Sequence, residues 1–372
     1  MWSNVVRIVI IGGGIAGARV AQELSKFRKK GLDIKLVDKK EYFEVPYATL
    51  RGIVEPETIG KILRKKYSDF LKVKFILGRV KSITDEKINL EDGHDIPFDI
   101  AIIATGSSYR FFSIPKPPDN MTYLKDREEQ FQEEHQKLLE AQNILIIGGG
   151  AVGVELAGDI AYTYPEKNIT LVEALPRLLS QFKPKASRIA QKQLESMGIH
   201  VVLNEFLEQV PNDKSVWLSK KSKDVYHTDL AYICIGVLPN TAFMKLNFAD
   251  ALTEDNRIVV NDKLQLFSHS NIYAIGDCSN VDEFKLGYLA DKQAKFLVKN
   301  LKKILKSGFS PKTSLRSYKP KSTISIIPIG KKSGLVQLPI GTCKCKPLVA
   351  YKNKDLFVKR QFRKIKTVPN KV

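Results

Sequence analysis

Two glycine runs, Gly12-Gly13-Gly14-Ile15-Ala16-Gly17 and Gly148-Gly149-Gly150-Ala151-Val152-Gly153, stand 136 residues apart and constrain this chain more than any other feature. Each follows an apolar run, Val5 to Ile11 in one case and Asn143 to Ile147 in the other, and each opens a helix-like stretch. Each is answered by an acid that closes a second apolar run. Asp38 follows Ile34 to Val37, 26 residues beyond Gly12; Glu173 follows Ile169 to Val172, 25 residues beyond Gly148. Strand, Gly-x-Gly-x-x-Gly turn, helix, strand and acid are together the parts of a dinucleotide-binding unit. The first glycine permits a tight turn, the second lets backbone N–H groups approach a pyrophosphate, and the third lets helix and strand pack closely. The pyrophosphate then sits at the positive end of the helix, and the acid accepts hydrogen bonds from a ribose diol. A single such run is weak evidence, because glycine-rich turns are common. Two complete sets predict a chain that binds two dinucleotides.

At 372 residues the chain has room for two or three domains, each able to bury a core. No apolar stretch is long enough to span a bilayer, and the strand pattern beginning at Val5 leaves no room for a secretory peptide. Four cysteines (Cys234, Cys278, Cys343, Cys345) without framework spacing point to a reducing compartment. The five histidines are scattered without metal-ligand spacing, so no metal is expected.

The first unit ends on the apolar strand Ile100 to Ile103, which runs into Ala104-Thr105-Gly106. Pro115 to Pro118 marks a crossover. The acidic stretch Asp126 to Glu140 then carries Phe131, His135, Leu138 and Leu139 at helical spacing, which makes His135 one side of a packed helix rather than a ligand. The second unit closes in the same way as the first, with Leu230 to Ile235 leading into Gly236 and Pro239-Asn240. A third strand end, Ile272 to Ile275, leads into Gly276-Asp277. The simplest topology inserts the second unit into the first, returning Gly276 and Asp277 to the first ligand.

With these elements in this order, the chain resembles the two-dinucleotide-binding flavoproteins, in which the first fingerprint holds FAD and the inserted one holds NAD(P)H. The redox cysteine pair of the disulfide reductases has no counterpart between Lys39 and Pro56, which excludes thiol–disulfide chemistry. Leu36-Val37-Asp38, Ala48 to Arg51, Gly148 to Ala157, Tyr164 to Lys167, Asn271 to Cys278, Tyr288 to Ala290, Tyr318-Lys319-Pro320 and Lys354 to Val358 look more specifically like the ferroptosis-suppressor, or apoptosis-inducing-factor-like, NAD(P)H–quinone oxidoreductases. These are akin to type II NADH dehydrogenases. The resemblance covers nearly the whole chain. It implies an α/β fold of two Rossmann-like domains, the second inserted in the first, plus a small basic α+β region. Residues 1–112 and 245–310 would form the FAD domain, 113–244 the NAD(P)H domain and 311–372 the basic region. FAD would contact Gly12 to Ala16, Arg51, Val80 and Asp277. With Gly17, Asp38, Ala104, Thr105, Gly106 and Gly276 these make up the expected flavin site. Gly148, Gly150, Gly153, Glu173 and Gly236 make up the expected nicotinamide-dinucleotide site. A carboxylate at Glu173 favours NADH over NADPH by repelling a 2′-phosphate, with Arg177 able to soften the preference.

Two residues are expected to act in the reaction. Lys285, at the start of a helix from about Leu286, would stabilise negative charge on a reduced flavin or quinol. Taken alone it is one surface lysine among many. Glu155, in the first turn after the second fingerprint, would at least complement the helix dipole. The resemblance adds a place in the inter-domain cleft, positioning the nicotinamide or passing a proton toward the acceptor. The acceptor would be a quinone such as ubiquinone. A redox protein such as a ferredoxin or an electron-transfer flavoprotein is the alternative.

Of the 60 Lys and Arg residues, 19 lie between 301 and 372, against one acid, Asp355. Such asymmetry points to an anionic partner. Val358, Phe362 and Ile365 fall on one helical face amid basic residues, which predicts a segment lying apolar side down on an anionic membrane, where a lipid-soluble quinone would be met. The rival reading is a death-signalling flavoprotein whose tail grips nucleic acid. The expected location is cytoplasmic with peripheral attachment to a lipid droplet, the plasma membrane or the outer mitochondrial surface. Family members often carry a glycine for N-myristoylation directly after the initiator methionine; here that residue is Trp2.

Overall fold

The computed structural model describes residues 5–370 apart from 28, 30, 113, 268 and 311; Trp2 lies outside the described residues. Val6–Ile11 is apolar in five of its six positions and almost wholly buried, the pattern of a strand covered on both faces. It sits at the centre of a parallel sheet, between Leu32–Asp38 and Ile100–Ile103. Lys74–Leu77 and Ile272–Ala274 complete the two edges. Because side chains alternate, Ile8 and Ile10 enter one core while Val9 and Ile11 enter another. The helices Ile15–Leu24 and Gly287–Lys306 pack against each other.

The second sheet is again parallel, in the order His200–Leu203, Asn168–Glu173, Asn143–Ile147, Leu230–Ile233. Both units carry a three-stranded antiparallel meander before their closing strand, at Val80–Pro97 and Leu207–His227. Ile272–Ala274 comes after the whole second unit yet pairs with Ile100–Ile103 of the first sheet, which is the strand arrangement an insertion requires. A two-stranded antiparallel link, Ser107–Tyr109 with Val237–Pro239, joins the segments that leave the two units.

The C-terminal region is a three-stranded sheet (Ser325–Ile329, Ser333–Leu338, Gly341–Cys343) followed by the helices Lys346–Asn353 and Val358–Lys364. It docks on the helix Ala151–Thr163 through a close backbone approach. A Cβ at Gly158 would lie 2.8 Å from the Gly330 nitrogen. Here the expected membrane-facing stripe is corrected. Val358, Phe362 and Ile365 are each 0 % exposed, and the Phe362 ring meets Phe43 edge to face at 5.5 Å. Lys364 anchors the same segment, its ammonium 3.4 Å from Asp291 and its carbonyl accepting from Arg19 at 2.5 Å. The stripe is helical, but its apolar face closes the protein's own core. Among the described residues no helix is long and apolar enough to cross a membrane.

Candidate active site

The first glycine turn shows a division of labour among its glycines. Gly12 has φ +95°, and a Cβ there would lie 2.6 Å from the Ala104 oxygen; at Gly17 it would lie 1.8 Å from the Gly12 oxygen. A Cβ at Gly14 would meet nothing within 4 Å. The outer glycines are thus required by packing, whereas Gly14 opens onto free space at the start of the helix Ile15–Leu24, where a pyrophosphate fits. The second turn repeats this: Gly153 is closed by the Gly148 oxygen at 2.0 Å, and Gly150 is open. Each acid binds its own turn. Asp38 accepts from the Gly13 N–H and Glu173 from the Gly149 N–H, both at 2.6 Å.

A cleft of about 950 Å³ begins at Gly12, Gly14, Ile15 and Ala16. It follows the carboxyl ends of the first sheet past Asp38, Val80, Ala104, Thr105, Gly106, Gly276 and Asp277. This is where ligands bind in open parallel sheets. It then reaches Lys285 and Gly287, enters the second unit at Ala151, Val152 and Glu155, and ends against Ser325, Ile326, Ile327 and Lys352 of the C-terminal region. Gly13 and Gly17 support the turn from behind. Gly148, Gly150, Gly153, Glu173 and Gly236 belong to the second turn and its surroundings and do not line this cleft.

The charged groups in the cleft are individually held. Burial pushes the Asp277 carboxyl up, but the Lys116 ammonium at 2.7 Å and the Ser107 hydroxyl at 2.8 Å outweigh it and hold the carboxyl below the usual range. Burial pushes the Lys285 ammonium down; it donates to the Ser279 and Val281 carbonyls at 3.0 and 2.7 Å. Burial pushes the Glu155 carboxyl above the usual range although Lys352 lies 3.2 Å away. The Lys352 ammonium also donates to the Ile326 carbonyl at 2.7 Å.

Arg51 departs from its expected place. It is 1 % exposed and does not line the cleft; its guanidinium bonds Asp159 at 2.7 Å and points toward the Asn353 carbonyl. The charge demanded a buried partner, and the partner in this structure is a carboxylate of the second unit. Sequence reasoning missed Lys116, Lys352 and Asp159. Lys116 sits inside the flagged Pro115 to Pro118 crossover and Lys352 two residues before a flagged stretch, so position, not residue type, was their only signal.

The sequence profile of the pyridine nucleotide-disulphide oxidoreductases matches residues 6–294. Ferroptosis suppressor protein 1 of Xenopus tropicalis is 30 % identical over 375 residues, covering 98 % of this chain and 97 % of that protein. Apoptosis-inducing factor homolog B of Dictyostelium discoideum is 30 % identical over 388 residues, covering 97 % of each. Among solved structures, the sulfide:quinone oxidoreductase of Aquifex aeolicus superposes with a TM-score of 0.77 at 17 % identity, over 97 % of this chain and 91 % of that one. NDH2 of Plasmodium falciparum, solved in complex with NADH, superposes with a TM-score of 0.72 at 15 % identity, over 97 % and 98 %. These two share the fold. The glycine turns with their bound acids, the cleft that joins them and the match over most of the chain place this protein in the pyridine nucleotide-disulphide oxidoreductase family, as an FAD-dependent NAD(P)H oxidoreductase.

Proposed function

We propose that this enzyme takes a hydride from NADH and reduces a quinone at a membrane surface. The observation that carries the reading is the continuity of the cleft, from the open Gly14 position, past Glu155, to the apolar wall of Ile326 and Ile327. FAD would be held by the Gly12 to Ala16 turn, with Asp38 on its ribose, Val80, Ala104, Thr105 and Gly106 along its length, and Gly276 and Asp277 at the linkage beyond. Bound there, it supplies the two-electron relay between nicotinamide and acceptor. The nicotinamide dinucleotide would use Gly148, Gly150, Gly153, Glu173 and Gly236.

A quinone that gains an electron pair must also gain two protons. Glu155 is half-buried, lines the cleft and has a raised proton affinity, which suits a carboxyl that holds a proton for an acceptor. Lys352 balances its charge once the proton has left. Lys285 places a cation beside the helix start at Gly287, where negative charge on the acceptor or flavin would be stabilised. The name of the sulfide:quinone oxidoreductase neighbour supports a quinone acceptor, while a ferredoxin reductase and a putidaredoxin reductase bound to putidaredoxin share the same fold, so the acceptor is decided by the titration below.

Membrane contact would come from the surface of residues 311–372. Its hairpin turn exposes Ile340 at 92 %, and the Lys183 ammonium lies on the Pro339 carbonyl of the same turn. An exposed aliphatic side chain beside cations suits an anionic bilayer. The decisive experiment is an anaerobic titration of the purified yellow protein with NADH, followed by a short-chain ubiquinone. Bleaching and then reoxidation are expected; a protein that bleaches but is not reoxidised by quinone loses this acceptor assignment. Sedimentation with anionic liposomes and gel shift with DNA, each across a salt series, test the surface. DNA binding without liposome binding would overturn the membrane reading in favour of a nucleic-acid partner.

A further inference from the structure

Four charged side chains from three separate parts of the chain form two ion pairs at the end of the cleft, Glu155 and Lys352 lining it and Arg51 and Asp159 lying behind. Glu155 and Asp159 stand four residues apart on the helix Ala151–Thr163 and so share a face. Arg51 comes from the helix Thr49–Val54 of the first unit, and Lys352 from the helix Lys346–Asn353 of the C-terminal region. The Arg51 Nη2 lies 2.7 Å from the Asp159 Oδ1, and its Nε is 3.2 Å from both carboxylate oxygens. The Arg51 Nη1 lies 3.4 Å from the Asn353 carbonyl, next in sequence to Lys352. Lys352 in turn reaches Glu155 at 3.2 Å. The Arg51 and Asp159 side chains are 2 % and 5 % exposed. Desolvating such a pair costs several kcal/mol unless its geometry is well satisfied, so stability alone is weak grounds for placing one where three pieces of the fold meet.

We infer that Arg51 and Asp159 are positioning residues for Glu155: their ion pair ties the helix Thr49–Val54 to the helix that carries Glu155, the bond from Arg51 to the Asn353 carbonyl reaches the helix that carries Lys352, and the charges of the pair, one helical turn from Glu155, set how tightly it holds its proton. The inference rests on the reading of Glu155 as the proton-holding group of the cleft. The titratable and charged groups that face Glu155 are Lys352, Arg51, Asp159 on its own helix, and Tyr109 from the linking strand. Asp159 also faces Glu55. Burial pushes both carboxyls up, Lys352 and Arg51 pull Glu155 down, and Asp159 pushes it up as a like charge. The signs fix the consequences. Neutralising Asp159 removes a like charge and leaves Arg51 without its counter-charge, so Glu155 releases its proton at lower pH. Neutralising Arg51 removes the cation that holds Asp159 ionised against burial, so Asp159 takes up a proton of its own and the two changes largely cancel at Glu155.

The test is a pH titration of the holoenzyme followed by the infrared carbonyl stretch of protonated carboxyls, the Glu155 band being the one lost in Glu155→Gln. Asp159→Asn should lower the midpoint of that band by about one pH unit, whereas Arg51→Gln, in which Asp159 itself becomes protonated, should move it far less and add a second protonated-carboxyl band. The pH profile of quinone turnover should move the same way. A residue that only supported the fold would change the melting temperature and leave the midpoint in place, and an unmoved midpoint in Asp159→Asn overturns the inference. If Asp159→Asn does not fold, Arg51→Gln still tests the pairing: a new protonated-carboxyl band from Asp159 is expected near neutrality, and its absence together with an unmoved Glu155 midpoint overturns the inference. Undiminished turnover by Glu155→Gln would instead remove the underlying role of Glu155, a result read separately from the infrared midpoint.

Discussion

The Glu173 carboxylate accepts a hydrogen bond from the Gly149 backbone N–H at 2.6 Å, which fixes a negative charge beside the second glycine turn. Its other oxygen accepts from the Leu175 N–H at 2.9 Å, so the group is held on both sides. Arg177, the residue able to offset this charge, is turned away: its guanidinium donates to the carbonyls of Phe182, at 2.9 Å, and Ser180. A 2′-phosphate would therefore face a held carboxylate with Arg177 turned away from it. We expect kcat/KM for NADH to exceed that for NADPH by about tenfold or more, the equivalent of one charge-assisted hydrogen bond. Glu173→Gln, which keeps an acceptor for Gly149, should bring the two cofactors closer together. Equal use of both by the wild-type enzyme would refute the assignment.

The glycines of the first turn should separate binding from folding. Gly14→Ala adds a Cβ where nothing lies within 4 Å, so flavin-stripped protein should melt within a degree or two of wild type. The new methyl fills the space proposed for the pyrophosphate, and flavin titration should show affinity lowered by about tenfold or more. Gly17→Ala pushes a Cβ to 1.8 Å from the Gly12 oxygen and should destabilise the protein itself, by about 1–3 kcal/mol or more. Comparing melts with flavin titrations for the two variants checks both statements.

Acid stability should depend on Glu44. This carboxylate lies buried between Arg64, whose Nε is 2.6 Å away, and Arg127, whose Nε is 3.0 Å away. Burial pushes it up, but the two guanidinium groups overcome that and hold it below the usual carboxylate range. A carboxyl with a lowered folded-state pKa stabilises the protein above its unfolded-state value of about 4.3, and the contribution is lost as pH falls through the folded value. Denaturant midpoints should be flat with respect to this group near neutrality and fall below about pH 4. Glu44→Gln leaves two buried cations facing a neutral amide. It should cost about 3–5 kcal/mol at pH 7 and flatten the acid limb.

Local patterns in the sequence reported local structure well. The runs Val6–Ile11 and Asn143–Ile147 are strands because apolar continuity, a glycine turn and a following acid all lie within one βαβ unit, where spacing and space coincide. The contacts that assemble the proposed reaction site have no such signature. Arg51 meets Asp159 across 108 residues, Lys116 meets Asp277 across 161, and Lys352 meets Glu155 across 197. A lone basic residue in sequence looks the same whether it faces a cofactor, a carboxylate or water. The tail shows the limit differently. The spacing of Val358, Phe362 and Ile365 reported a helix with an apolar face, but amphipathicity states only that a face must be covered, not by what.

That distinction gives the last expectation. Phe362 is fully buried, its ring edge to face with Phe43 and its segment tied to Asp291 and Arg19. Truncation to alanine removes a large buried aromatic and leaves a cavity, which should cost about 3–5 kcal/mol. A tail lying loosely on a bilayer would predict the opposite pattern, little change in stability and a large loss of liposome binding. Ile340→Glu is the complementary variant, since a side chain 92 % exposed at a hairpin turn contributes little to folding. It should leave the denaturant midpoint unchanged and weaken sedimentation with anionic liposomes several-fold. Measuring both quantities for both variants separates the two faces of the tail, because Phe362→Ala moves the first and Ile340→Glu the second. Loss of liposome binding in folded Phe362→Ala, with none in Ile340→Glu, would place the membrane contact back on the stripe.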